Sequence, residues 1–156
     1  MDHKLLIEFE LEYRSEFLPY LGVGEVIRGD FFKVALWAMN LGTSKFPGVE
    51  VSKLSIDFRP QGVAQSRWRP SFKVSCPQIE AGKRVRFFSE DVLAIDEGTA
   101  WVHVEMKAED GDTIEYYQTP NDRLEDKNEW INCMYVVSRE SIHMIALLDQ
   151  LVKRMK

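Results

Sequence analysis

Apolar and polar residues alternate with a period of two through most of the first 120 positions, and that regularity confines the chain to sheets packed on sheets. Lys4 to Tyr13 shows it most cleanly: Leu5, Ile7, Phe9, Leu11 and Tyr13 fall on one face, Glu8, Glu10, Glu12 and Arg14 on the other. Successive side chains of an extended strand point to opposite sides, so such a segment buries one face and wets the other. Phe31 to Met39 follows Gly29-Asp30 and is apolar on both faces, which predicts a strand covered on both sides. Val51 to Phe58 turns Leu54, Ile56 and Phe58 inward. Phe72, Val74 and Cys76 mark a short strand stopped by Pro77, and Val85 to Phe87 opens another. Val102, Val104 and Met106 alternate within Thr99 to Ala108, and Thr113 to Gln118 follows.

Turn chemistry separates these runs. Asn40-Leu41-Gly42-Thr43, Pro47-Gly48, Ala81-Gly82 and Glu97-Gly98 supply residues that accept positive φ or fix an extended entry. Asp110-Gly111 is the strongest hairpin signal in the chain and predicts direct pairing of Thr99–Ala108 with Thr113–Gln118. Arg59 to Pro70 is polar, holds Pro60, Gly62 and Pro70, and reads as a loop or irregular edge. About seven short strands with no helical stretch among them predict an all-β dominated domain, an immunoglobulin-like antiparallel β-sandwich; a parallel sheet needs helical crossovers.

The period changes near the end. Thr119 to Asn128 is a polar, acidic connection, and Trp130 to Val137 is a further apolar, β-branched strand or packing segment. Ser138 is placed to N-cap a helix, although Ser141 stands where a full capping box has Glu. At 100° per residue, Met144, Ile145, Leu147, Leu148, Leu151, Val152 and Met155 lie within an arc of about 160°. Lys153, Arg154 and Lys156 oppose the negative end of the helix dipole. Residues 1–137 are thus expected to form the sandwich, and 138–156 a C-terminal amphipathic α-helix, in the same domain or as a docking or dimerisation element.

The order of the turns, Gly29-Asp30, Asn40-Leu41-Gly42, Ala81-Gly82 and Glu97-Gly98, resembles that of the cell-adhesion-related bacterial family of immunoglobulin-like domains, CARDB. In that family a Gly-Asp precedes a strand ending in Asn-x-Gly, and later Gly-led turns precede the final hairpin. The likeness covers about two-thirds of the chain and implies a sandwich with a binding-type role. The acidic, Asn-rich ending of the family is replaced by Asp110-Gly111-Asp112 and Tyr116-Tyr117, and no Cys-Trp-Cys arrangement of antibody domains is present.

Enzymatic signatures are missing from the sequence. His3, His103 and His143 are isolated, with no metal-ligand spacing; no serine sits in a GxSxG elbow; Gly22 and Gly24 lack a third glycine and a following helix. Glu109, Asp110 and Asp112 lack an EF-hand pattern. A non-enzymatic chain without cofactor or metal is expected. Cys76 and Cys133 are too few for a disulfide framework and read as reduced, buried thiols.

A net charge of −5 argues against a nucleic-acid partner. Six basic residues against Glu80 fill Arg67 to Arg86, and eight acids against Arg123 and Lys127 fill Glu109 to Glu129, which reads as two solvated faces of opposite sign. No run reaches the roughly 20 apolar residues of a membrane span, so no membrane insertion is expected. Without a signal peptide the chain reads as cytoplasmic as it stands, or extracellular if a leader has been removed.

Two surfaces stand out. Arg67-Trp68-Arg69 either packs over a sandwich edge or meets an acidic partner or anionic ligand, since Trp and Arg anchor many interfaces. The apolar stripe of the helix, with Met144, Ile145, Leu148, Leu151, Val152 and Met155, either finds cover within the chain or docks on a protein partner or a second copy. The function expected is a protein-interaction or scaffolding module. The alternative is a small-ligand or carbohydrate-binding accessory domain using Trp37, Trp101 and His103.

Overall fold

A computed structural model describes residues 2–59, 66–124 and 129–155. Its strands, in chain order, are β1 (Asp2–Glu12), β2 (Glu25–Ile27), β3 (Phe31–Asn40), β4 (Val49–Arg59), β5 (Ser66–Trp68) and β6 (Ser75–Cys76). They continue with β7 (Arg84–Leu93), β8 (Gly98–Met106), β9 (Thr113–Thr119), β10 (Asp122–Arg123) and β11 (Trp130–Val137), and the chain ends in α1 (Arg139–Arg154). One sheet runs β10-β9-β1-β3-β7; the other runs β2-β11-β8-β4-β5, with β6 on β4.

The two sheets face each other across one core. Leu5 and Ile7 of β1, Phe32 and Leu36 of β3, and Ile56, Phe58, Val102 and Val104 of β4 and β8 are all at most 2% exposed. These are the residues that the period-two alternation turns inward, and their burial is the driving force that holds sheet on sheet. Two register shifts adjust the pattern. One between Val51 and Lys53 of β4 lets Val51 and Leu54 both reach the core; another, opposite Leu36 and Trp37 of β3, inserts Phe87 of β7 so that Phe87 and Phe88 both pack against the core.

Four features depart from the sequence reading or refine it. First, Asp110-Gly111 makes no hairpin: β8 lies between β4 and β11, so both its edges are taken, and the chain crosses through a 3-10 turn, Glu109–Gly111, to the opposite sheet. Second, β9 runs parallel to β1, and β2 parallel to β11, so the sandwich is antiparallel except at these two pairings. Third, Arg67 and Trp68, in the stretch read as a loop or irregular edge, belong to a short edge strand, β5, hydrogen-bonded to β4. Residues 60–65 and 125–128 of the two expected connections lie outside the described residues. Fourth, Cys133 is only half-buried, because it points to the outer side of β11; Cys76 is buried, and both thiols are free.

Asn40 shows why Asn-x-Gly closes β3. Its Nδ2 donates to the Ser44 and Ile79 carbonyls, both at 2.9 Å, and its Oδ1 accepts the Gly42 amide at 2.8 Å. A buried amide is tolerated only when satisfied in this way.

Candidate docking surface

α1 begins at Ser138, whose Oγ accepts the Ser141 amide at 3.2 Å as the expected N-cap. Basic Lys153 and Arg154 occupy the last turn. What the sequence could not reveal is which side of this amphipathic helix meets the body. Ile142 and Ala146 are 4% and 6% exposed and form the narrow buried seam of the helix. On the opposite side Met144, Ile145, Leu147, Leu148, Leu151, Val152 and Met155 are between 45% and 85% exposed.

Polar contacts fix that orientation. The Tyr20 hydroxyl donates to Asp149 at 2.7 Å, and Lys153 Nζ lies 2.9 Å from the same carboxylate. The Tyr20 hydrogen bond holds the Asp149 carboxyl below its ordinary range, with Lys153 adding to the effect. The Phe17 and His143 rings are in contact at a tilt of 33°, with centroids 4.5 Å apart. At the first turn the Arg139 guanidinium pairs with Asp30, whose other oxygen accepts the Tyr13 hydroxyl at 2.6 Å. Tyr13 in turn accepts the Ile27 amide at 3.2 Å, so Asp30 ties the end of β1, the edge strand β2 and the helix into one corner. The usual arrangement, apolar stripe inward and polar side outward, is reversed.

The second expected surface is built differently. Arg67 Nε donates to Asp57 Oδ1 at 2.7 Å and Nη2 to Oδ2 at 3.2 Å, a two-pronged pair that consumes the guanidinium. Trp68 lies edge-on to Phe88 at 6.0 Å, half-buried against the core. Arg67 and Arg69 are both exposed, and Arg69 lines a groove of about 400 Å³ with Pro70, Phe72 and Lys73. The helix docks near β2 and β5 is at the other edge of that sheet, so the structure does not bring the two surfaces together.

Asp57 also faces His103, whose Nε2 lies 3.3 Å from Oδ2 without hydrogen-bond alignment, while His103 Nδ1 is 3.1 Å from Glu129. Lys53 completes the group at 3.3 Å from Glu129. Burial alone would raise the Asp57 carboxyl, but the Arg67 guanidinium, with His103 and Lys53 adding, holds it below the ordinary carboxylate range. Asp57 and His103 are buried, so the group braces three strands of the sheet. Sequence spacing offered no signal for it, because Asp57, Arg67, His103 and Glu129 come together from distant parts of the chain.

Of the aromatic residues expected to hold a ligand, Trp101 and His103 share the outer face of β8, but Trp37 is on the other sheet. Trp37 is on the outer face of the β1 sheet, beneath Arg84 at 4.0 Å and bonded to Glu10; Trp101 is on the outer face of the β8 sheet, beneath Arg59 at 5.9 Å. The charge runs are likewise paired locally: Arg84 with Glu8, Arg123 with Glu115, and His3 with Asp112. Among the described residues no cluster of His, Cys, Asp or Glu is arranged to hold a metal ion, and no helix is long and apolar enough to cross a membrane.

These features can be set beside known proteins. The chain is similar to the CARDB domain of a Pyrococcus furiosus protein, whose structure was solved in complex with di-metal ions: TM-score 0.50, 13% identity, 88% of this chain and 96% of that one. The fold is a CARDB-like immunoglobulin sandwich. No family model matches the sequence, and no curated protein does. The turns that carry the CARDB-like punctuation sit where the fold needs them, Gly29, Gly82 and Gly98 all having positive φ.

Proposed function

We propose that this chain is a non-enzymatic interaction module in which the sandwich is the platform and α1 the docking element. One observation carries the reading: α1 is held by Ile142, Ala146 and the polar contacts beside them, and presents its main apolar stripe to solvent. Monomeric domains seldom leave a contiguous apolar patch of several hundred Å² uncovered, and such patches mark interaction sites. Asp57 and His103 are buried and brace the sheet from within.

The reading is tested on the full-length chain by replacing Leu148 and Leu151 with serine. If the face docks elsewhere, the unfolding free energy from urea titration at sub-micromolar concentration stays within about 0.5 kcal/mol of the parent, as for a surface substitution. A loss of the 2–5 kcal/mol typical of core truncations shows that the face is packed within the subunit, and the docking reading falls.

A further inference from the structure

We infer that the occupant of the α1 face is a second copy of this chain, its helix lying antiparallel to the first across a two-fold axis. The inference rests on the reading of that face as a docking surface and adds the partner's identity. A two-fold interface is self-complementary: if one residue touches another, the second touches the first in return. The centre of the stripe has that symmetry. Met144, Leu148, Leu151 and Met155 run along one line of the helix at 4-3-4 spacing, mirrored about the point between Asp149 and Gln150. Antiparallel pairing about that point sets Met144 against Met155 of the partner subunit and Leu148 against Leu151 of the partner subunit. Leu147 and Val152 are mirrored about the same point and close the two flanks.

Charge and area agree. The pairing lays the acidic first turn, with Glu140, beside the basic last turn, with Arg154, and opposes the two helix dipoles. At about half exposure each apolar side chain offers roughly 90 Å², so the pair removes up to about 1,300 Å² from water, within the range of specific interfaces. A helix lying in a bilayer surface draws on its basic residues for lipid headgroups, whereas Lys153 lies on the side of the helix away from the stripe and is paired with Asp149.

The test uses the full-length chain carrying Cys133→Ser, with Met144→Cys and Met155→Cys added together or Met144→Cys alone, and sedimentation from 1 to 100 µM. A dimer is expected. Leu148→Glu, present twice in each interface, is expected to weaken it at least about 100-fold. On oxidation the double-cysteine chain forms a covalent dimer and the Met144→Cys chain does not. Cross-linking through Met144→Cys alone shows a parallel pair and overturns the proposal. So does a monomer at every concentration; if the Leu148→Ser and Leu151→Ser chain is then as stable as the parent, the docking surface survives without self-association. Flotation of that monomer with phosphatidylcholine vesicles, lost in Leu148→Glu, assigns the face to membranes instead. Loss of stability in the serine variant removes both readings.

Discussion

The Tyr116 hydroxyl of β9 accepts the Met106 amide of β8 at 2.9 Å, reaching from one sheet to the last residue of a strand in the other. This contact stands in place of the hairpin that Asp110-Gly111 predicts. β9 turns Ile114 and Tyr116 into the core beside β1, and the phenol satisfies the amide that would otherwise be stranded where β8 ends.

Tyr116→Phe keeps the ring and removes the bond, leaving a buried amide without its partner. It is expected to cost about 1–3 kcal/mol, read as a lower urea midpoint with unchanged slope. Burial pushes the Tyr116 phenol up to about 12 from 10.0, so the unfolded chain releases this proton first. Stability from this group is therefore whole below about pH 10 and drains away as pH rises towards 12. An absorbance titration showing the Tyr116 phenolate in the native chain at pH 11 would contradict the assignment.

Strand positions were legible because they depend on a local period that the backbone enforces: Lys4–Tyr13, Phe31–Met39 and Trp130–Val137 all fall on strands or at their ends. Pairing was not, since the neighbours of β8 are set by β4 and β11, far away in sequence. The three residues of β5 are too few for a period to show. The helix and its stripe were plain from Met144 to Met155, yet the direction of the stripe is decided by Tyr20 and Asp30, whose partners on α1 no spacing rule could supply. Asp57 and His103 were hidden for the same reason.

Asp57→Asn tests the brace. Hydrogen bonds to charged groups contribute about 1.5–3 kcal/mol, and a loss of that size is expected at pH 7. Because the native carboxyl is held below its unfolded range, its contribution is present above about pH 4 and is lost as pH falls through the lower native value. The gap in stability between parent and Asp57→Asn therefore narrows from pH 7 to pH 3. An equal gap at both pH values would mean that Arg67 and His103 add nothing to the carboxylate.

The two thiols differ in access. Burial pushes the Cys76 thiol up to about 12, while Cys133 is half-buried and near the Tyr135 hydroxyl at 3.6 Å. An aromatic disulfide reagent at pH 8 is expected to titrate one thiol in the native chain and both after unfolding. Cys133→Ser should abolish the native reaction. Its survival in that variant would place Cys76 at the surface.

Gly48 and Gly111 share a left-handed backbone, with φ of +80° and +75°, but not surroundings. A Cβ at Gly48 would meet the Gln78 nitrogen at 3.0 Å and the Cys76 oxygen at 3.2 Å, both backbone atoms of the segment that carries β6 past the start of β4. At Gly111 nothing lies within 4 Å. Alanine at either site costs about 1–2 kcal/mol for its conformation alone. Gly48→Ala must also push two backbone segments apart where Val49 pairs with Cys76, so it is expected to exceed Gly111→Ala by at least about 1 kcal/mol in urea unfolding. Equal losses would show that β6 does not sit against β4 at this junction, and with it the placement of the buried Cys76 would fail.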